Sequence, residues 1–64
     1  MELKQLEFFL MCVEYGSFGK AAGKLYTSQP NVSKVIRMLE DELGNQVFER
    51  TGRGLRLTPY GKEI

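Results

Sequence analysis

The sequence predicts a single, mainly α domain that ends in a two-stranded β-hairpin and the start of a further helix. Three observations predict this fold class. Apolar residues recur at helical spacing in three consecutive stretches, and the pattern changes to that of strands after residue 44. The third is the length of 64 residues, which suffices for only one small apolar core.

The first helix is predicted to run from Leu3 to about Glu14, with Tyr15 and Gly16 ending it. Apolar residues at steps of three and four form one stripe along it: Leu3, Leu6, Leu10 and Val13. Further apolar residues widen that surface: Phe8, Phe9, Met11 and Cys12. So broad a surface indicates a helix that is centrally buried or keeps a second face for a partner, and we expect some of each.

A short second helix is predicted to follow, because Ser17 can accept a hydrogen bond as its N-cap. Its inward face mixes large and small residues: Phe18, Ala21, Ala22 and Leu25. Gly19 and Gly23 each weaken the helix by roughly 1 kcal/mol relative to alanine, so it must depend on tertiary packing. Their missing side chains are expected to permit close approach by a neighbouring element. Tyr26 and Thr27 are predicted to form the next turn.

The third helix is predicted to begin at Ser28, a good N-cap, with Pro30 in the first turn, where a missing N–H costs nothing. Its core stripe consists of apolar residues at steps of four, three and four: Val32, Ile36, Leu39 and Leu43. Gly44 supplies the left-handed residue that ends the helix. Two helices joined by about three residues form a helix-turn-helix.

A β-hairpin is predicted beyond Gly44. Two apolar or alternating stretches are separated by a bridge that contains two glycines: strands over 47–50 and 55–57, and the bridge over 51–54. Thr58 and Pro59 repeat the combination of a cap and a first-turn proline, which predicts one more helix over 59–64. We therefore expect a domain over 1–58 followed by the front part of a longer helical segment.

Composition excludes several classes of function. The chain has no histidine, so it lacks the commonest general base and metal ligand, and its one cysteine cannot form an internal disulfide. Cys12 lies in an apolar run and is expected to be a core residue rather than a reactive thiol. We find no motif for a cofactor, a metal or a nucleophile–base pair. Without such motifs we expect a protein that is not an enzyme. The charged N-terminal stretch is neither a signal peptide nor a membrane span, so we expect a cytoplasmic location.

Charge is distributed unevenly, although the net charge is only +1. Between Ser17 and Arg37 every charged residue is basic: Lys20, Lys24, Lys34 and Arg37. At about 100° per residue, the face of the third helix opposite its apolar stripe is polar: Pro30, Lys34, Arg37 and Asp41, flanked by Asn31 and Ser33. A helix that enters the major groove of DNA needs short hydrogen-bonding side chains and cations. Together with Gln29, this face supplies both.

Polar residues in a first helical turn are often only solvated, but the predicted hairpin adds three arginines: Arg50, Arg53 and Arg56. Arg53 lies between two glycines at the predicted tip and is the best candidate to contact the DNA backbone or minor groove. Arg50 and Arg56 could equally pair with Glu49 or with the acids of 40–42.

Spaced residues along essentially the whole chain resemble LysR-type transcriptional regulators: Gly16-Ser17-Phe18, Ala21-Ala22, Leu25, Ser28-Gln29-Pro30, Ser33, Ile36, Leu39-Glu40, Leu43-Gly44, Phe48-Glu49-Arg50 and Leu57-Thr58. The resemblance implies the N-terminal winged helix-turn-helix domain of a bacterial regulator. It makes 59–64 the start of a linker helix, normally followed by an effector-binding domain. Carried over by position, the family's DNA contacts fall on the third helix, the wing and the second helix: Gln29, Pro30, Ser33, Lys34, Arg53 and Phe18.

Asn31, Lys34 and Val35 depart from the residues usual in the family, and Lys34 lacks the planar fork of an arginine, which leaves the base preference open. The resemblance also implies a homodimer or higher homo-oligomer formed through the first and linker helices. That contact would use the surplus apolar residues Phe8, Met11 and Tyr60. The alternative is that these residues pack inside one chain. A small-molecule effector would bind only to the C-terminal domain.

Two functions are compatible with these residues. The first is sequence-specific binding of double-stranded DNA by a dimeric transcription regulator. The second is a protein-interaction module that keeps the fold without DNA binding, which the near-neutral charge favours and the acid-free basic run from Lys20 to Arg37 does not. The helix start at Ser28-Gln29-Pro30 argues against a molybdate-responsive regulator of similar N-terminal layout.

Overall fold

Four helices and one antiparallel hairpin make up the protein in a computed structural model that describes residues 2–52 and 54–63. The elements follow in the order α1 (Leu3–Tyr15), α2 (Phe18–Lys24), α3 (Gln29–Leu43), β1 (Phe48–Thr51), β2 (Gly54–Leu57) and α4 (Pro59–Lys62). This architecture confirms the predicted winged helix-turn-helix. Each of α1, α2 and α3 contacts the other two, strand β2 contacts α1, and α4 contacts β2.

Helix α1 presents its aromatic face to the core. Phe8 is only 7% exposed, whereas Leu3, Leu10 and Val13 are 71%, 56% and 42% exposed. Of the two alternatives left open for Phe8, the structure therefore shows packing inside the chain. Phe9 is buried beside it, with 5.4 Å between the centres of its ring and the Phe48 ring, and burying two phenyl rings removes more apolar area from water than burying the leucines.

The helix-turn-helix is held by the local contacts that its sequence predicts. The Ser17 hydroxyl accepts a hydrogen bond from the Lys20 N–H at 3.0 Å, and the Ser28 hydroxyl accepts one from the Asn31 N–H at 3.2 Å. Tyr26 turns the chain with a left-handed φ of +56°. The two serine caps confirm the predicted starts of α2 and α3.

The core is formed by one cluster from α1, α2, α3 and the hairpin: Phe8, Phe9, Cys12, Phe18, Ala21, Ala22, Val32, Val35, Ile36, Leu39, Val47 and Phe48. It includes three residues of the predicted α3 stripe and, in addition, Val35. Burial raises the pKa of the Cys12 thiol to about 11, which agrees with a core residue and not with a reactive thiolate.

Neighbouring elements approach closely at Gly54 and Gly61, and not at Gly19 and Gly23 as the sequence predicted. A Cβ on Gly23 would meet nothing within 4 Å, and one on Gly19 would lie at ordinary contact distance, 3.5 Å, from the Gln29 side chain. The expectation for these two glycines is therefore wrong. A Cβ on Gly54 would collide with the carbonyl oxygen of Gly16, and one on Gly61 would collide with that of Val47. The tight contacts therefore lie where the hairpin and α4 pack.

The hairpin strands extend one residue further toward the turn than predicted, and β1 begins at Phe48 rather than at Val47. Its register pairs Phe48 with Leu57 and Thr51 with Gly54, so the outer residues of the predicted bridge belong to the strands. The Leu55 N–H donates to the Gly16 carbonyl at 2.9 Å, which joins β2 to the turn between α1 and α2.

Helix α4 begins as predicted at a threonine cap. The Thr58 hydroxyl accepts a hydrogen bond from the Gly61 N–H at 3.0 Å and donates to the Gln46 carbonyl at 2.6 Å. The division into a domain over 1–58 and a linker segment over 59–64 stays a prediction. Over the described ranges, no helix is long and apolar enough to cross a bilayer.

Candidate nucleic-acid interface

The N-terminal half of α3 carries most of the predicted contact residues on one exposed face. The exposed members are Gln29, Pro30, Lys34 and Arg37, and Asn31 and Ser33 are half-buried at its margins. The Ser28 cap starts the helix, and Val32 and Ile36 anchor its opposite side in the core. The described structure therefore brings six of the eight predicted residues together, while Arg53 lies outside the described residues.

Asn31 is held in place by the turn that precedes it. Its side-chain Nδ2 donates to the Thr27 hydroxyl at 2.9 Å. An amide has two N–H donors and one acceptor oxygen. One donor is thus used within the protein, and the second donor and the oxygen remain for a ligand. No sequence pattern predicted this role of Thr27 as an acceptor.

Arg50 on β1 joins the wing to α3. Its Nη2 donates to the Ser33 hydroxyl at 3.1 Å, and its guanidinium carbon lies 4.8 Å from the centre of the Phe18 ring. A guanidinium over an aromatic face is attracted by the ring quadrupole. Arg50 therefore takes neither of the partners that the sequence left open, since among the described contacts it is paired with no acid.

Phe18 is chiefly a core residue at this place. It is 8% exposed, and its ring meets that of Phe48 edge to face with 6.3 Å between centres. Its outer face is the platform for Arg50. The family-based expectation that Phe18 lies near the DNA backbone stays a prediction, with little of the side chain available to make that contact.

The acids near the wing are occupied by other groups. Glu49 accepts a hydrogen bond from Arg56 at 2.8 Å across the hairpin, so this arginine takes one of the two alternatives that the sequence left open. Glu40 accepts from the backbone N–H of Val47 at 2.9 Å. The same carboxylate oxygen lies 3.4 Å from the next backbone nitrogen in the chain. Glu40 thus fixes the start of the hairpin, a role that no local sequence signal indicated.

A polar groove of about 540 Å³ lies between α3 and β1. Its lining combines the aromatic base and the charged rim: Phe18, Ser33, Ile36, Arg37, Glu40, Gln46, Phe48, Glu49 and Arg50. Among the residues that the structure describes, no group of three or more His, Cys, Asp or Glu side chains could hold a metal ion. Its two arginines are matched by two glutamates, so the groove is polar without a net formal charge.

A capped helix-turn-helix beside a β-hairpin, with a basic exposed face on its second helix, defines the winged helix-turn-helix class. Residues 3–62 match the model of the bacterial regulatory helix-turn-helix proteins of the LysR family. The chain belongs to that family, as the spaced residues predicted.

Relatives and solved structures agree with this assignment. The chain is 45% identical over 62 residues to the HTH-type transcriptional regulator TfdT of Cupriavidus pinatubonensis, covering 97% of this chain and 27% of TfdT. A crystal structure of a BenM DBD/benA site 1 DNA complex superposes with a TM-score of 0.93 at 48% identity, covering 98% of this chain and 71% of that one. A CbnR DBD–DNA complex gives 0.94 at 38% identity, with 98% and 72% covered. The chain spans about a fifth to a quarter of the length of the curated relatives it matches.

Proposed function

We propose that this chain binds double-stranded DNA sequence-specifically as the N-terminal domain of a bacterial transcriptional regulator. The observation that carries the proposal is the exposed N-terminal half of α3, where every charged residue up to Arg37 is basic. The CbnR and BenM domains that it resembles were crystallised with DNA, and the relatives named above are transcriptional regulators.

In this proposal α3 enters the major groove with its N-terminus first. Gln29 and Asn31 can bond adenine edges, and Ser33 can bond several base edges. Lys34 and Arg37 are exposed and can contact a guanine edge or a phosphate. The N-terminus of α3 adds its free backbone N–H groups, which favour a phosphate.

In this proposal the wing, which is the β1–β2 hairpin, contacts the DNA backbone or the minor groove beside α3. Arg53 follows Gly52 in the sequence, between strands β1 and β2, and is the wing residue that we propose to contact DNA. Arg56 is bonded to Glu49, so it is a matched wing arginine from which we expect a smaller contribution.

The experiment is fluorescence anisotropy with labelled duplexes, first a random pool at low salt and then the site selected from it. Arg53→Ala should weaken binding to all duplexes similarly and lower the salt slope by about one, whereas Gln29→Ala should relax preference at one base pair. Arg56→Ala is the matched control for Arg53→Ala and should change the affinity and the salt slope less. Absence of wild-type binding to any duplex would contradict the proposal and favour a protein-interaction module.

We also propose that the outward face of α1 contributes to a homodimer or higher homo-oligomer. Leu3, Leu10 and Val13 are exposed on one helix face, more apolar surface than a solvated helix needs. Met11 and Tyr60 are half-buried and packed against the core, so they contribute less than expected. Leu10→Lys should lower the mass measured by sedimentation equilibrium and leave the circular dichroism spectrum unchanged. An unchanged mass in a wild type that is oligomeric would contradict this face.

The remaining roles follow from DNA binding. We propose a non-enzymatic protein that acts on chromosomal DNA and therefore works in the cytoplasm. Any small-molecule effector would be bound by a C-terminal domain, since the groove between α3 and β1 belongs to the proposed DNA face. Effector addition should then leave the DNA affinity of this chain unchanged in the same anisotropy assay.

A further inference from the structure

Arg50 lies on strand β1 of the wing, and its side chain contacts α3. Its guanidinium is bonded to Ser33 of α3 and lies over the ring of Phe18 of α2, so one side chain joins three elements. The ring contact restricts the side chain, because a planar guanidinium stacks on one face of an aromatic ring.

The charge of Arg50 is not neutralised by the two acids of the same groove. Glu49 accepts from Arg56, and Glu40 accepts from the backbone N–H of Val47. Within the described part of the chain, the polar partner of the Arg50 guanidinium is therefore a neutral hydroxyl. The cation beside Ser33 is therefore paired with no acid among the described residues, and its contact with Ser33 is exposed to solvent.

The bond from Arg50 determines which further hydrogen bonds the Ser33 hydroxyl can make. An arginine has donors only, so Ser33 Oγ is the acceptor in this bond and keeps its own hydrogen. No hydrogen bond among the described residues uses that hydrogen. The nearby positive charge makes Oγ a poorer acceptor for a second donor and its O–H a better donor.

We propose that Arg50 is a positioning residue for base reading, which holds Ser33 as a hydrogen-bond donor on the face of α3. The inference rests on the proposed function. A donor at this place selects base edges with acceptors, which are guanine O6 and N7, adenine N7 and thymine O4, and it disfavours the amino group of cytosine. The wing then contributes to base specificity by positioning Ser33 on α3, in addition to contributing affinity through the DNA backbone.

The test compares Ser33→Ala, Arg50→Met and the double variant on the selected site and on its single base-pair replacements. Methionine keeps an unbranched stem over Phe18 and removes the donors and the charge. Arg56→Met is the matched control, because it removes the same charge from the other strand. Circular dichroism melting identifies any variant that fails to fold, in which case Arg50→Gln replaces Arg50→Met.

Ser33→Ala should reduce discrimination at one base pair by about tenfold, the size of a lost base-edge bond. Arg50→Met should reduce discrimination at that same pair by a similar factor, the double variant no further, and Arg56→Met hardly at all. Equal weakening on every duplex with discrimination retained in Arg50→Met would overturn the inference and make Arg50 a phosphate contact. Unchanged discrimination in Ser33→Ala would overturn it as well.

A DNA-free measurement separates this inference from the function on which it rests. Side-chain NMR should show slow rotation of the Arg50 guanidinium in the wild type and faster rotation in Ser33→Ala. Fast rotation in both would refute the inference while leaving DNA binding intact. A wild type that binds no duplex would refute the proposed function, and the base-reading role with it, even where the slow rotation is seen.

Discussion

Removing the Glu40 carboxylate should destabilise the whole domain, because this side chain fixes the start of the wing. It accepts the Val47 N–H at 2.9 Å and the Phe48 N–H at 3.4 Å, and both residues belong to the core. A hydrogen bond to a charged group contributes about 1.5–3 kcal/mol. The longer bond is near the limit of useful geometry, so we count about 0.5 kcal/mol for it.

Alanine offsets part of this loss, since it favours the helix by roughly 0.4 kcal/mol over glutamate. Glu40→Ala should therefore lower the free energy of unfolding by about 2 kcal/mol, a large share of the stability of a domain this small. The assay is urea unfolding followed by circular dichroism. At a comparable unfolding entropy the melting temperature should fall by about 8–16 °C.

The matched control is Asp41→Ala, the next residue along α3, which is exposed. We expect a change within about 0.5 kcal/mol there, as for an ordinary surface position. Equal effects of the two substitutions would refute the reasoning, since they would show that the bonds to the hairpin contribute no more than a solvated acid.

Three further outcomes follow from the packing and the buried thiol. Gly61→Ala should destabilise the protein by more than about 2 kcal/mol in thermal melts, because the new methyl meets the Val47 carbonyl in a buried place. Gly23→Ala should stabilise it by about 0.5–1 kcal/mol, because the position is helical and open; a destabilisation would show an unrecognised contact. Cys12 should react with a thiol reagent at pH 8 only as fast as the protein unfolds, since burial raises its pKa from 9.0 to about 11. By linkage its contribution to stability is complete below pH 9 and is lost as the pH rises toward 11, and immediate labelling of the folded protein would contradict this.

Features specified by a few adjacent residues could be predicted from the sequence. The serine caps of α2 and α3 and the glycine that ends α3 depend on local backbone geometry, and each lies at its predicted residue. The inward stripe of α3 was also predictable, because its opposite face is polar and leaves one way to bury the helix.

Features that depend on contacts between distant elements could not be predicted. Both faces of α1 are apolar, so periodicity alone does not say that Phe8 points inward and Leu10 outward. The partner of Arg50 lies on α3, 17 residues away, and the nearer partner of Glu40 lies in the segment before β1, seven residues away. For such side chains the sequence indicates the charge and the donors, and only the packing indicates the partner.

The central claim is that the N-terminal half of α3 reads DNA, and its most direct test is NMR of the ¹⁵N-labelled chain titrated with a selected duplex. We expect the largest shifts at the backbone amides of Gln29, Asn31, Ser33 and Lys34, with further shifts along the hairpin. Shifts confined to the outward face of α1, around Leu3 and Leu10, with α3 unchanged, would contradict the account.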